Sequence, residues 1–169
     1  MNLPPYAVFP ELRSAELLLR EIRMEDVSSL LEALTYDGKT AATLEEGIQI
    51  VEKTNQNYLD GNSVNWVIEN NETNELMGFI GYYRGFENGV GEVGFVLKAA
   101  FRGLGFMSTS LQMVVDFGLN NMVLNGVVAF TKPDNEKAIT VLSRNGFHEN
   151  KPEGAYLKFV YSAASKPFS

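Results

Sequence analysis

The chain has 169 residues, of which 45% are hydrophobic and 21% charged, and its formal net charge at pH 7 is −7. This length suits one domain with a real core, and the acidic charge argues against a nucleic-acid-binding protein, which needs a basic face. The absence of cysteine and the single histidine, His148, exclude disulfides, thiolate metal sites and a cysteine nucleophile, and they make an ordinary zinc site improbable, so we expect no metal.

The first residues, 1–13, contain prolines and no basic segment, so we expect an N-terminal extension and not a signal peptide. No apolar run approaches the roughly 18 residues that a transmembrane helix needs, so we expect no membrane partner. Together with the lack of cysteine, these features favour a cytoplasmic protein.

The first half of the chain predicts a strand, two helices and two further strands. The first strand is expected at about Glu16 to Ile22 ("ELLLREI"). The first helix is predicted by apolar residues at helical spacing: Val27, Leu30, Leu31 and Leu34. "TLEE", Thr43 to Glu46, is a capping-box pattern and predicts the start of the second helix. "SVNWVIE" and "LMGFIGYYRG" are typical of the second and third strands.

The second half predicts the fourth strand, "GEVGFVL", after the turn-rich segment "FENGVG". A helix, the fifth strand "GVVAF", another helix ending at Asn145-Gly146, and a last strand "AYLKFVYS" follow. This order predicts an α/β (α+β) fold with a mixed central sheet and helices on both faces. We expect a single domain over residues 1–169, with residues 163–169 as a C-terminal tail.

The segment "AAFRGLGFMSTSLQMVVDFGL", Ala99 to Leu119, joins a glycine pair to an amphipathic helix. Gly103 and Gly105 allow unusual dihedral angles and close approach of a ligand, and the first helical N–H groups lack intrahelical partners. Polar side chains could add donors there, namely Arg102, Ser108 and Ser110. Two interpretations are open: a phosphate or pyrophosphate site, or a tight strand-to-helix turn capped by Ser108. The segment matches neither a P-loop nor a complete dinucleotide fingerprint.

The glycine segment resembles the acyl-CoA loop of the GNAT acetyltransferase superfamily, Q/R-x-x-G-x-G/A. Arg102 to Phe106 match this pattern, and Met107 departs from it. The strings "ELLLREIRMED", "GEVGFVLKAAFRGLGFMSTSL" and "TKPDNEKAITVLSRNGF" resemble the RimJ/RimL-like branch, the ribosomal-protein alanine N-acetyltransferases. The resemblance extends from about Ser14 to Tyr161. It implies a V-shaped split between the fourth and fifth strands.

The resemblance implies that acetyl-CoA binds in this split as co-substrate. The backbone N–H groups expected to hold its pyrophosphate belong to Gly103, Gly105, Phe106 and Met107, with Arg102 and Ser108 assisting. Phe95 and Leu97 are expected to bind the pantetheine amides. Asn135 is expected to contact the cofactor arm, and it is equally suited to cap the last long helix.

The reaction implied is direct acetyl transfer to a primary amine in a ternary complex, the amine belonging to a protein N-terminus or to a small molecule. Glu92 is the candidate general base, and we expect Gly94 on the same strand face to leave open space beside it. The alternative is a surface glutamate. The backbone N–H near Leu97 is the candidate oxyanion donor.

The general acid has no matching residue, because Leu142 and Ala138 stand where relatives often have Tyr or Ser. Ser143, Tyr156 or water could protonate the thiolate, or no acid is needed, because a thiol with a pKa of roughly 8.5 is a tolerable leaving group.

The segments Tyr36–Ala42 and Gly85–Gly91 are expected to wall the acceptor site. Two other classes of function stay open. One is a non-catalytic acyl-CoA-binding or regulatory module, and the other is a nucleotide-binding protein that uses the glycine loop. Several relatives form dimers, so a homodimer is a further expectation from the resemblance.

Overall fold

The structure is a computed structural model that describes residues 1–162; the expected tail at 163–169 lies outside the described residues. The strands are β1 (Leu12–Arg13), β2 (Leu17–Arg20), β3 (Thr35–Tyr36), β4 (Lys39–Thr40), β5 (Val64–Asn70), β6 (Leu76–Tyr83), β7 (Val90–Leu97), β8 (Gly126–Thr131), β9 (Phe147–Glu149) and β10 (Leu157–Tyr161). The α-helices are α1 (Val27–Leu30), α2 (Leu44–Leu59), α3 (Phe106–Asn120) and α4 (Glu136–Arg144). Short 3₁₀ turns cover Met24–Asp26, Glu87–Gly89 and Ala99–Phe101.

The central sheet of the described chain has eight strands in the order β1-β2-β5-β6-β7-β8-β10-β9. The pair β7–β8 is parallel, and the other neighbours are antiparallel. Successive side chains of a strand point to opposite faces. Accordingly, Trp66 and Ile80 pack with α3 and α4 residues, whereas Val67 and Phe79 pack with α1 and α2 residues. The predicted mixed sheet with helices on both faces is confirmed.

Several local signals have the predicted effect. Thr43 Oγ1 accepts a hydrogen bond from the Glu46 amide at 3.2 Å, and Glu46 Oε2 accepts one from the Ala42 amide at 2.7 Å. These contacts satisfy free donors at the start of α2. At the other end of the chain, α4 stops where Gly146 adopts φ +86°, a conformation that glycine tolerates well.

The first helix is shorter than predicted. The α-helix ends at Leu30, although Leu34 is still fully buried. The chain turns there into the β3–β4 hairpin, whose two-residue loop, Asp37-Gly38, has positive φ at both positions. An Asp-Gly pair is the favoured sequence for such a turn. Strands β1 and β9 were not predicted either, because two or three residues give too little periodicity.

The first residues of the chain pack onto the core under α3. Leu3, Tyr6 and Phe9 lie against it, and the Trp66 indole donates to the Pro10 carbonyl at 2.6 Å. The Tyr6 amide donates to the Tyr58 hydroxyl at 2.9 Å. These contacts give the buried indole N–H of Trp66 a partner.

A buried ion cluster joins β2, the start of the first helix and β5. The Arg20 guanidinium forms two hydrogen bonds with Asp26, at 2.8 and 3.0 Å, and a third at 2.5 Å with Glu69. Asp26 also accepts from the Arg23 amide at 2.7 Å. A charge this well buried needs such partners. The cluster therefore positions the start of α1 relative to the sheet.

Tyr82 is closely packed in the core. Its hydroxyl donates to the Val114 carbonyl at 2.9 Å, and the side chain is fully buried. A Cβ added at Gly91 would lie 2.7 Å from the ring, and one at Gly118 would lie 2.8 Å from the ring carbon that carries the hydroxyl. Two glycines on different elements thus make room for one ring.

We predict that Gly118→Ala lowers the free energy of unfolding by about 1–3 kcal/mol, because overpacking against Tyr82 outweighs the higher helix propensity of alanine. Urea unfolding of the wild type, Gly118→Ala, Tyr82→Phe and the double variant measures the coupling. The loss should be smaller in the Tyr82→Phe background. An equal loss in both backgrounds would show that the hydroxyl is not the obstacle.

Candidate active site

The two central parallel strands separate partway along their length. Among the described residues, β7 pairs with β8 from Val90–Gly126 to Glu92–Val128 and no further. The remainder of β7, through Leu97, pairs with β6 alone. One edge of β7 is therefore open beyond Glu92, at the place where the sequence predicts the split.

The backbone groups of Phe95 and Leu97 face this opening. The Lys98 amide donates to the Met77 carbonyl across the β6–β7 pair at 2.8 Å. Hydrogen-bonding direction alternates along an antiparallel strand, so the N–H and C=O groups of residues 95 and 97 point away from β6. The open edge can hydrogen-bond an extended ligand that carries amide groups, in the way that it would bind another strand.

The glycine loop lies at the end of the opening, before α3. Gly103 and Gly105 adopt φ +76° and +85°, and no described atom beyond their chain neighbours lies within 4 Å of a Cβ built on either. The glycines thus serve backbone geometry and leave space above the loop. The first intrahelical bond runs from the Thr109 amide to the Gly105 carbonyl at 3.2 Å. The amides of residues 106–108 precede it and lack intrahelical acceptors.

The polar side chains around this loop have different tasks. Arg102 Nε donates to the Leu97 carbonyl at 3.0 Å, which ties the loop to the end of β7. Ser108 Oγ accepts from Asn145 Nδ2 at 2.9 Å, which ties the start of α3 to the end of α4. The N-cap position belongs to Gly105, so the interpretation of Ser108 as the helix cap is wrong.

Two further polar side chains form hydrogen bonds within their own helices. Ser110 is fully buried and donates to the Phe106 carbonyl at 2.9 Å, so it cannot assist the loop as expected. Asn135 caps α4 by accepting from the Ala138 amide at 3.2 Å. The capping interpretation of Asn135 is confirmed.

A cavity of about 650 Å³ adjoins β7 on the face covered by α2 and the β3–β4 hairpin. Tyr36, Asp37 and Gly38 line it, as does Gly85, so both expected wall segments contribute. Several polar residues of its wall were not predicted from the sequence, among them Thr54, Asn57, Ser63 and Asn65. For these last two, a signal was available, because they alternate with Val64 and Trp66 in the sequence.

Glu92 lies at this cavity, where β7 begins to separate from β8. Its side chain is 23% exposed, and its Oε1 lies 3.2 Å from an Arg84 guanidinium nitrogen. The same guanidinium lies 3.6 Å from Asp37 of the hairpin. Burial raises the pKa of Glu92, the Arg84 charge partly opposes this, and the Glu153 charge adds to it. A raised pKa suits a carboxylate that must take up a proton.

The expectation of open space beside Glu92 at Gly94 is wrong. A Cβ at Gly94 would lie 2.8 Å from the Tyr83 ring, which occupies the space that the glycine leaves. Tyr83 comes from the neighbouring strand, so the sequence of β7 alone could not show it. Burial and, to a lesser extent, the Glu92 charge raise the pKa of Tyr83.

The candidate general acids lie outside the cavity wall. Ser143 is exposed on α4 next to fully buried Leu142, and Tyr156 is 47% exposed. Neither is among the residues that line the cavity.

Two further properties concern the whole described chain. Across residues 1–162, no helix combines the length and apolarity needed to cross a bilayer. The same residues hold no group of three or more His, Asp or Glu side chains placed to bind a metal ion.

Comparison with known proteins agrees with this geometry. The Acetyltransferase (GNAT) domain family matches residues 16–148. The uncharacterized N-acetyltransferase YoaA of Bacillus subtilis (strain 168) is 25% identical over 162 residues, covering 91% of this chain and 90% of YoaA. The uncharacterized N-acetyltransferase p20 of Bacillus licheniformis is 28% identical over 146 residues, covering 82% of each chain.

Among solved structures, RimL, a ribosomal L7/L12 α-N-protein acetyltransferase in complex with coenzyme A, superposes with a TM-score of 0.76. The identity is 20%, and the match covers 89% of this chain and 96% of RimL. At this identity the likeness shows the shared fold. The family match spans most of the chain, and the protein therefore belongs to the GNAT acetyltransferase family, as an N-acetyltransferase.

Proposed function

We propose that the protein transfers the acetyl group of acetyl-CoA directly to a primary amine within a ternary complex. The observation that carries the proposal is the open edge of β7, which has a glycine loop at one end and a half-buried carboxylate at the other. We also propose that the protein belongs to the RimJ/RimL-like branch, on the three sequence motifs and the likeness to RimL. A cytoplasmic location and a homodimer stay predictions.

The residues present fit acetyl-CoA. The amides of Phe106, Met107 and Ser108 are free at the positive end of α3, and the open space over Gly103 and Gly105 lets a pyrophosphate approach them. Arg102 adds a positive charge at the same loop. Phe95 and Leu97 offer backbone groups to the pantetheine amides along the open edge. Asn135 caps α4, and its role toward the cofactor arm stays a prediction.

Bound acetyl-CoA supplies an activated acyl group as a thioester. The Leu97 carbonyl is bonded to Arg102, whereas the Leu97 N–H points into the opening and can donate to an acyl oxygen. Donation there would stabilise negative charge that develops on that oxygen.

Glu92 would take the proton from the attacking amine. An alkylammonium has a pKa of about 10, so most of the acceptor is protonated at neutral pH and must lose a proton before attack. Glu92 lies between the acceptor cavity and the open edge of β7. Ser143 and Tyr156 stay predictions for the proton donor, and a thiol of pKa roughly 8.5 can leave without one.

We predict that Gly105→Glu abolishes the thermal stabilisation that acetyl-CoA gives, because a carboxylate at the loop repels the pyrophosphate. A ligand at 100 times its Kd stabilises the folded wild type by about 2.7 kcal/mol. Gly154→Glu is a matched control, because Gly154 also has positive φ and open surroundings. Differential scanning fluorimetry with acetyl-CoA, CoA, ATP and NAD measures the effect.

If acetyl-CoA still raised the melting temperature of Gly105→Glu, CoA would bind at a site other than the glycine loop. Stabilisation by ATP or NAD alone would favour the nucleotide-binding alternative over acetyl transfer.

We predict that Glu92→Gln lowers kcat by about 10²–10⁴-fold, the usual contribution of a general base, without changing acetyl-CoA binding. In the protein that keeps Glu92, kcat/KM should rise with pH through the raised pKa of this group. Arg84 lowers that pKa. Arg84→Met should therefore move the acidic limb of the kcat/KM–pH profile to higher pH, and Arg84→Lys should move it less. A thiol-release assay across pH measures both effects. An acidic limb that does not respond to Arg84→Met would exclude Glu92 as the titrating base.

A further inference from the structure

Two buried oxygen atoms in the cavity wall lack hydrogen-bond partners. Within residues 1–162, the buried side-chain nitrogen and oxygen atoms without a partner are Ser63 Oγ and Asn65 Oδ1. The two residues are 2% and 5% exposed, and both line the 650 Å³ cavity. Neither has a role in the proton transfer proposed for Glu92.

Their position follows from the strand. Val64 and Trp66 point into the core under α3, so Ser63 and Asn65 point to the opposite face, toward the cavity. Asn65 pairs with Gly81, which pairs with Gly94, so these three residues form one row across the sheet. The Asn65 carboxamide oxygen lies where a side chain at position 81 would stand. The oxygen therefore lies over Gly81 on the cavity side of the sheet, in the row next to Glu92 on β7.

Such atoms are costly in a folded protein. A buried acceptor or hydroxyl without a partner costs about 1–3 kcal/mol, and nearly all buried polar groups in proteins are paired. Two of them, one on β5 and one directly before it, on the wall of the cavity that holds the candidate base, are suited to a ligand that brings hydrogen-bond donors.

We propose that Ser63 and Asn65 select the acceptor, and that this acceptor is a small primary amine bearing hydroxyl groups, of the amino alcohol or amino sugar class. The proposal rests on the proposed function. Asn65 Oδ1 accepts a hydrogen bond from a substrate hydroxyl, and Ser63 Oγ accepts or donates one. The two side chains are about 7 Å apart along the strand, so they contact different groups of the acceptor.

The other residues of the cavity wall also suit a small amine that bears hydroxyl groups. The other uncharged polar lining residues carry hydroxyl or amide groups: Thr35, Tyr36, Thr54, Asn57, Asn62 and Tyr83. The charged lining residues, Asp37, Arg84 and Glu92, are paired with one another. A polyamine would need further carboxylates, which the wall does not contain. A cavity of about 650 Å³ lies within the usual range for small-molecule sites, roughly 300–1,000 Å³.

The test compares matched amines on the full chain. The probes are 3-aminopropan-1-ol against propylamine, glucosamine against cyclohexylamine, and a short peptide with a free N-terminus. Release of CoA gives kcat/KM for each. The variants are Ser63→Ala and Asn65→Leu, which keep side-chain shape and remove the oxygen, with exposed Ser29→Ala as control.

We expect the wild type to prefer each hydroxylated amine at least about tenfold, and each cavity variant to lose most of that preference. Because the variants remove an unpaired buried atom, Ser63→Ala should melt at or above the wild-type temperature. A purely structural role would instead lower the melting temperature. KM for acetyl-CoA should stay at the wild-type value, and Ser29→Ala should match the wild type throughout.

Three results would overturn the inference. Equal preference in wild type and both variants would show that the two oxygens do not contact the acceptor. A wild type that acetylates the peptide better than every small amine would refute the substrate class and leave the proposed function intact. A lack of CoA release with every amine, while acetyl-CoA still stabilises the protein, would refute both.

Discussion

The loss of pairing between β7 and β8 beyond Glu92 is the constraint on which the site depends. Parallel strands bury hydrogen-bonding groups along their whole length when they stay together, and separation leaves those groups needing partners. Here the exposed edge runs from a carboxylate at one end to the amides of α3 at the other. A ligand bound along this edge as proposed would supply the hydrogen-bond partners that β8 does not.

The glycine loop could be predicted from sequence because its chemistry is local; Glu92 became the candidate base through the family resemblance. Positive φ at Gly103 and Gly105 and free amides at a helix start depend on neighbouring residues alone. The space beside Glu92 could not be predicted, because Tyr83 fills it from the adjacent strand. The sequence predicts Ser63 and Asn65 only as part of a strand, since the tertiary structure alone shows that their buried oxygens lack hydrogen-bond partners. The hairpin at Asp37-Gly38 had a usable turn signal that the helical spacing ending at Leu34 concealed.

The polar contacts of the loop make it part of the scaffold as well as a ligand site. Arg102 joins it to β7, and Ser108 joins it to Asn145 at the end of α4. Changes at Asn145, which is not itself proposed to bind the ligand, would therefore reach Ser108 at the start of α3 through one hydrogen bond. The fold positions the loop from both sides of the opening.

The sharing of Arg84 between Glu92 and Asp37 has a thermodynamic consequence. The hairpin is attached to the strand of the base through a guanidinium whose attraction to Glu92 depends on the charge of that carboxylate. Once Glu92 holds a proton, its charge no longer attracts Arg84, and the link from β7 to the hairpin through this guanidinium is weaker. By reciprocity, hairpin displacement changes the proton affinity of Glu92. The charge of Glu92 and the position of the hairpin at the cavity are thus coupled through one arginine.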